Sequence, residues 1–363
     1  MPIPFRFCKR RLLPHFLARP AFLAVLLLIC PLLAGPAGTA LAKAPLPVVV
    51  SIAPQKYMLE RIAGDSVAVT VLVRPGADPH SYEPTPAQMR ACAGARVWFT
   101  IGVPFEDVWL PRIQSAAPNL AVFSTISRIK RLRFADDALL LEDLRLSRKA
   151  GENAAAPAVP PASKPSPGEE HEHADEAGHQ HDYQADAAGH EHHHDHGDEA
   201  EDPHVWLSPM LVRDMLPDMA RELGRLLPEQ AAEFRANAKA FAAELEALDE
   251  TLAGRFADVP RNKRVFLTFH PSWRYFAHNY GLTELAIEVE GKEPGPQSMK
   301  EIINTAKAYG IRTIFVEPQF PRAAAEAIAA NIGARVVTVD PLAEDLPATY
   351  TDLANKLMES FKQ

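Results

Sequence analysis

The alternation of short apolar runs with amphipathic segments limits this chain to one fold class. Between residues 46 and 124, apolar runs such as LPVVVSI and VAVTVLV are separated by helical patterns such as PQKYMLERIAG. The same alternation returns from residue 264, with RVFLTF, RTIFVEP and RVVTVDP as its strands. Strands that alternate with helices indicate parallel βαβ units. The sequence therefore predicts an α/β fold with two (β/α) lobes, each built on a parallel sheet.

A long amphipathic pattern lies between the two runs. The segment PEQAAEFRANAKAFAAELEALDETLAGRF predicts a helix of about eight turns. We expect a helix of this length to join the lobes as a rigid strut. The predicted domains are a signal peptide at 1–42, an N-terminal lobe at 43–145, an insertion at 146–203, a helix completing the first lobe at 204–228, the linking helix at 229–258 and a C-terminal lobe at 259–363.

The N-terminus has the pattern of a secretory signal. A basic cluster at residues 9–11 precedes the apolar run AFLAVLLLICPLLAG, and a small-x-small pattern predicts cleavage near Ala42. Cys30 follows an isoleucine, where a lipidation site requires a small residue, so we expect no lipid anchor. Cys92 is then the single cysteine of the mature chain and no internal disulfide forms. A soluble exported protein needs an outer membrane to retain it, so we predict the periplasm.

Nine of the fourteen histidines lie in one acidic tract rich in Gly and Ala. Its composition predicts a flexible segment without a packed core. So many imidazoles in a short run favour a set of accessory metal ligands that act as a zinc acceptor or sensor, although a solvated linker with incidental metal affinity is the alternative. The predicted accessory ligands are His171, His173, His179, His181, His190, His192, His193, His194 and His196.

One motif inside this tract has no chemical meaning. His190 to His194 formally matches H-E-x-x-H, the zinc metalloprotease signature. That signature requires a helix that presents both histidines on one face. Here Gly189 and Gly197 flank a run without an apolar face, so the match reflects composition.

Four other residues indicate a single metal site. His80, His270 and Asp340 each follow a predicted strand, and His204 precedes a helix start at which Ser208 serves as the N-cap. In open α/β sheets, ligands bind beyond the carboxyl ends of the strands. Taken singly, a loop histidine is more often exposed, and an aspartate before proline often caps a turn. Their joint placement in two lobes predicts one metal site in the cleft between them.

The predicted ligand set favours zinc. Three imidazoles and one carboxylate suit tetrahedral Zn²⁺, whereas manganese prefers more oxygen ligands. Glu317 is the alternative carboxylate, although it also suits the capping of the turn that follows it. We expect Trp206 and Trp273 either to form walls of the site or to pack within the lobes.

Several motifs resemble those of the periplasmic zinc-binding proteins of ABC uptake systems (ZnuA type, cluster A-I). They are GADPHSYEPTP, DPHVWLSP, FHPSWRYFAHNYGL, EGKEPGPQSMKEI, IFVEPQF and VTVDPLAED. The resemblance implies two lobes joined by a long rigid helix and one metal in the cleft. It places His80, His204 and His270 on the three histidine ligand positions of the family, and Asp340 where relatives carry an acidic fourth ligand. Zinc members differ at that fourth position, and some use water.

The resemblance also implies a function. We expect the protein to bind Zn²⁺ as cargo, to deliver it to the permease of an ABC importer in the inner membrane, and to be a monomer. We expect no catalysis, because four protein ligands leave no open position on the metal. The net charge of −8 argues against a nucleic-acid partner. The alternatives are a manganese or iron carrier of the same family, a zinc hydrolase, and a surface adhesin, for which no anchor is visible.

Overall fold

The first sheet forms from the apolar runs at the start of the described chain. The computed structural model describes residues 44–133, 201–288 and 295–362, so the predicted signal peptide and the His-rich tract lie outside the described residues. The strands of the first sheet are parallel and central positions such as Val49 and Trp98 are fully buried. They are β1 (Leu46–Val50), β2 (Val67–Val71), β3 (Val97–Thr100) and β4 (Ala121–Ser124).

The second sheet repeats this arrangement. Its strands are β5 (Val265–Thr268), β6 (Thr283–Ala286), β7 (Thr313–Val316) and β8 (Arg335–Thr338). The spatial orders are β2-β1-β3-β4 and β6-β5-β7-β8, with every described pairing parallel. The chain therefore changes direction across each sheet between the first and third strands, where open α/β sheets bind ligands. The predicted fold of two α/β lobes with parallel sheets is confirmed.

The helices of the first lobe begin at residues suited to capping. Thr85 accepts a hydrogen bond from the Gln88 amide, and Ser208 accepts one from the Leu211 amide. In the first half of the described chain, the helices are α1 (Ala53–Ala63), α2 (Pro86–Gly94), α3 (Pro104–Ala116), α4 (Pro209–Leu226) and α5 (Ala231–Ala257).

The helices of the second lobe follow each of its strands. They are α6 (Arg274–Tyr280), α7 (Pro296–Ala308), α8 (Arg322–Ile332) and α9 (Leu346–Ser360). Helix α6 ends at Gly281, whose φ of 62° lies in the left-handed region that favours glycine. None of the helices in the described ranges has the length and apolarity needed to cross a bilayer.

Helix α5 contacts both lobes along its 27 residues. Near its start, Asn237 Nδ2 donates a hydrogen bond to the Ile62 carbonyl at 2.9 Å, which fixes it to α1 of the first lobe. Nearer its end, Asp249 accepts a hydrogen bond from the Tyr280 hydroxyl at 2.8 Å, which fixes it to α6 of the second. The predicted long helix is confirmed, and it connects the lobes through side-chain contacts as well as through the chain.

Candidate metal centre

Three histidines from separate parts of the chain converge in the structure. His80 lies in the loop between β2 and α2, and His270 lies two residues beyond β5. His204 immediately precedes the short 3₁₀ turn Val205–Leu207, which leads into α4. One candidate ligand atom from each ring lies within 4.8 Å of the other two.

The distances between the rings match those expected for histidines that share a metal ion. The Nε2 atoms of His204 and His270 lie 3.4 Å apart. Two imidazole nitrogens on a tetrahedral Zn²⁺, each about 2.0–2.1 Å from the metal, are separated by about 3.3–3.4 Å. His80 completes the group, with its ring centroid 5.4 Å from that of His204 and 4.9 Å from that of His270. Its Nε2 is buried and has no hydrogen-bond partner among the described residues.

The same tripeptide, Asp-Pro-His, carries two of these residues. In both copies the aspartate Oδ1 accepts the histidine backbone N–H, at 2.8 Å between Asp78 and His80 and at 2.9 Å between Asp202 and His204. An aspartate that binds the backbone two residues later forms an Asx turn. The motif therefore fixes the backbone of each histidine through a local contact that does not depend on the other lobe.

A buried carboxylate orients the ring of His204. Asp202 Oδ1 lies 2.7 Å from His204 Nδ1, and both residues are buried. A carboxylate accepts here, so Nδ1 carries the proton and Nε2 keeps its lone pair toward the site. The guanidinium of Arg274 lies 3.8 Å from Asp202 Oδ2, which offsets part of the buried negative charge.

His270 is oriented in the same way by a different element. Glu288, which follows β6, places Oε2 at 2.7 Å from His270 Nδ1. The ring of Phe320 stacks on that of His270 with their centroids 4.9 Å apart. Because both Nδ1 atoms donate to carboxylates, the facing Nε2 atoms of His204 and His270 both present lone pairs. Two such lone pairs repel each other unless a cation lies between them.

Burial keeps the imidazoles of His80 and His204 neutral. It lowers the pKa of His80 to about 2, with the neighbouring His204 and His270 as smaller causes. Burial also lowers the pKa of His204, and Asp202 opposes this effect. Metal ligation requires neutral imidazole, so these two residues can accept a divalent cation at neutral pH without first losing protons.

A third buried carboxylate holds the segment that packs against the loop of His80. Glu106, in α3, accepts hydrogen bonds from the amides of Ile101 at 2.8 Å and Gly102 at 2.7 Å, and its pKa is raised by burial to about 7. At Gly102, φ is 83° and an added Cβ would lie 2.6 Å from Ile126 Cδ1, so only glycine fits. Three residues after Gly102, the Phe105 amide donates to the carbonyl of Pro79, directly before His80.

The three rings line a small cavity. It has a volume of about 20 Å³, and its lining includes His80, His204, His270 and Trp206. That volume holds about one water-sized occupant. Trp206 forms a wall of the site, which was one of the two positions expected for it. Its Nε1 donates a hydrogen bond to the Pro341 carbonyl at 2.8 Å. Trp273 lines a neighbouring cavity instead.

The structure does not place Asp340 among the converging groups. Its Oδ1 accepts hydrogen bonds from Gln319 Nε2 and from the Leu342 amide, both at 3.0 Å. The bond from the Leu342 amide caps a turn, which is the alternative role that the sequence indicated for an aspartate before proline. Glu317 is buried and also outside the group, because its carboxylate accepts from the His270 amide and the Ser272 hydroxyl. A role for either carboxylate as a ligand stays a prediction.

Sequence reasoning missed the residues that orient and surround the three histidines. Asp202 was visible in the Asp-Pro-His motif, whose repetition is a usable signal. Glu288 and Phe320 gave none, because they reach His270 from other strands of the sheet. Gln319 was also missed, although its side chain lines the cavity. The nine histidines of the tract lie outside the described residues.

The chain matches a known family over most of its length. Residues 48–363 match the family model described as "ZnuA: Zinc-uptake complex component A periplasmic". Among curated proteins, the chain is 31% identical over 167 residues to the "High-affinity zinc uptake system protein ZnuA" of Brucella abortus (strain 2308), which covers 44% of this chain and 49% of that protein. It is 25% identical over 328 residues to the "Zinc-binding lipoprotein AdcA" of Streptococcus pneumoniae serotype 4, covering 87% of this chain and 55% of the relative.

The solved structures give the same result. A zinc-bound ZnuA deletion mutant is 34% identical and superimposes with a TM-score of 0.67, covering 87% of this chain and 98% of that one. The chain spans about half the length of the two curated relatives. The match to the family model nevertheless covers nearly all of the described residues, and the resemblance predicted from the motifs is confirmed. The chain belongs to the family of zinc-uptake component A proteins, the solute-binding components of zinc transport systems.

Proposed function

We propose that this protein captures one Zn²⁺ between its two lobes and delivers it to the permease of an ABC importer in the inner membrane. His80, His204 and His270 are its ligands. The observation that carries this proposal is the 3.4 Å separation of the His204 and His270 Nε2 atoms, both with lone pairs facing inward. The printed descriptions of the relatives, a zinc uptake protein and a zinc-binding lipoprotein, support the same cargo.

The proposal assigns transport and no catalysis. The cavity of about 20 Å³ suits a single ion and gives no room for an organic substrate beside it. The secretory pattern at the N-terminus and the family's description as periplasmic support export to the periplasm after cleavage near Ala42. We further propose that the protein acts as a monomer and that the histidines of the tract bind zinc more weakly, as accessory sites.

The test is a zinc titration against a competing chelator, with the mature chain and with a chain lacking residues 151–200. We expect one tight site in both. His270→Ala removes a ligand, so affinity should fall by at least about 100-fold. His278→Ala is the matched control, because His278 is exposed on α6 of the same lobe.

Two results would contradict the proposal. Loss of the tight site on deletion of residues 151–200, with no effect of His270→Ala, would assign tight binding to the tract. A preference for Mn²⁺ or Fe²⁺ over Zn²⁺ in a direct competition would assign a different cargo to the same site.

A further inference from the structure

Gln319 is a polar residue of the metal cavity whose side chain is only half satisfied. It follows β7 (Thr313–Val316), next to the strand that carries His270, and it lines the cavity together with the three histidines. Its Nε2 donates to Asp340 Oδ1 at 3.0 Å. Its Oε1 is buried and has no hydrogen-bond partner among the described residues.

Asp340 determines which end of this amide faces away from it. The same Oδ1 that receives Gln319 Nε2 also receives the Leu342 amide, so it is committed as an acceptor. A rotated amide would set Gln319 Oε1 against that carboxylate oxygen, oxygen against oxygen. The carboxylate therefore holds the amide nitrogen and leaves the amide oxygen for another partner.

A buried acceptor without a partner is unfavourable, and native structures leave few of them. The same cavity is lined by His80, whose Nε2 is also buried without a partner among the described residues, and by the two facing nitrogen lone pairs of His204 and His270. A divalent cation satisfies all of these atoms together. Tetrahedral zinc takes four ligands, and the three imidazoles leave one position to be filled.

We propose that Gln319 supplies the fourth zinc ligand through Oε1, and that Asp340 is its positioning residue and not itself a ligand. This inference rests on the proposed function, since it concerns the same site. It replaces the expected carboxylate with a neutral amide. All four ligands are then neutral, so none of them offsets the positive charge of the metal. This arrangement suits a site that must later release its cargo.

The test compares Gln319→Leu, Asp340→Asn and Asp340→Ala in the full mature chain by zinc titration against a chelator. Gln319→Leu keeps the volume and removes the oxygen, so zinc affinity should fall about 10- to 100-fold. Asp340→Asn retains an acceptor oxygen for Gln319 Nε2 and should stay within about threefold of the parent protein. Asp340→Ala releases the amide and should weaken binding to about the same degree as Gln319→Leu.

The visible spectrum of the Co²⁺-loaded proteins provides a second readout, because it depends on the metal's own ligands. It should change in Gln319→Leu and be preserved in Asp340→Asn. The inference is overturned if Gln319→Leu binds zinc like the parent, or if Asp340→Asn loses affinity and changes the spectrum. Circular dichroism of the metal-free variants checks folding. His270→Ala in the same series separates the two proposals, since its failure to weaken binding would overturn the proposed function itself.

Discussion

At the scale of single residues, the site depends on carboxylates that never need to touch the metal. Asp202 accepts a hydrogen bond from Nδ1 of His204, and Glu288 accepts one from Nδ1 of His270, both at 2.7 Å. These bonds turn the Nε2 atoms of the two rings toward the cavity. Such partners fix the tautomer and raise the basicity of the ligand. The aspartate beside His80 acts differently. Asp78 accepts the His80 backbone N–H through Oδ1 and the Ser81 hydroxyl through Oδ2, the latter at 2.9 Å, so it holds the turn and not the imidazole ring.

Glu288→Gln tests this role. Glutamine keeps an acceptor for His270 Nδ1 but removes the negative charge, so we expect zinc affinity to fall about 10-fold, and about 10- to 100-fold in Glu288→Ala. The measurement is a zinc titration against a chelator. Glu326→Gln is the control, because it removes an exposed charge from the same lobe. Equal affinities in Glu288→Ala and the control would show that Glu288 does not act on the metal through His270.

At the scale of secondary-structure elements, strand ends and one helix determine where the ligands lie. His270, Gln319 and Asp340 follow β5, β7 and β8, which are consecutive neighbours in the second sheet. Parallel strands deliver their carboxyl ends to one edge, so residues far apart in the chain become adjacent. The ligands from the first lobe and the segment before α4 reach that edge because α5 holds the two lobes together.

Ala247→Pro tests the continuity of α5. Ala247 is exposed in the middle of the helix, between the contacts of Asn237 with the first lobe and of Asp249 with the second. Proline removes one backbone hydrogen bond and clashes with the preceding turn, so the free energy of unfolding should fall by about 3 kcal/mol or more. Ala247→Gly keeps the bond and should cost about 1 kcal/mol. Urea denaturation measures both, and equal costs would argue against a continuous helix.

At the scale of the whole molecule, buried titratable groups make folding depend on pH in two opposite directions. The pKa of His80 is lowered to about 2, so between about 6.5 and 2 the unfolded chain binds a proton that the folded chain does not. The free energy of unfolding therefore decreases as the pH falls below about 6.5. Burial raises the pKa of Glu106 and Glu317 to about 7, so their contribution is present at low pH and is lost as the pH rises through about 7.

His80→Gln separates these contributions. In the metal-free protein, we expect the free energy of unfolding to depend less steeply on pH below about 6 in this variant than in the parent. The difference in slope should be at most about one proton, or about 1.4 kcal/mol per pH unit. Chemical denaturation at several pH values between 4.5 and 7 measures it. Parallel curves for the two proteins would mean that His80 has the same pKa in the folded chain as in the unfolded chain.

Much of this protein follows from local sequence. Apolar runs of four or five residues, and an amphipathic pattern long enough for α5, are properties of neighbouring residues, so the two α/β lobes and the connecting helix were predictable. The three histidines could be singled out for the same reason, since His80 and His270 lie in loops that follow a strand and His204 lies before a helix start. The Asp-Pro-His turns are equally local, with donor and acceptor two residues apart.

The surroundings of the histidines depend on contacts between distant segments, and only the tertiary structure decided them. Glu288 meets His270 across 18 positions of the chain, and Gln319 meets Asp340 across 21. A pattern of nearby residues carries no information about which carboxylate accepts from which ring. Asp340 illustrates this limit, because its position after a strand gave no sign of its hydrogen-bond partners, which are the side chain of Gln319 and the backbone of Leu342.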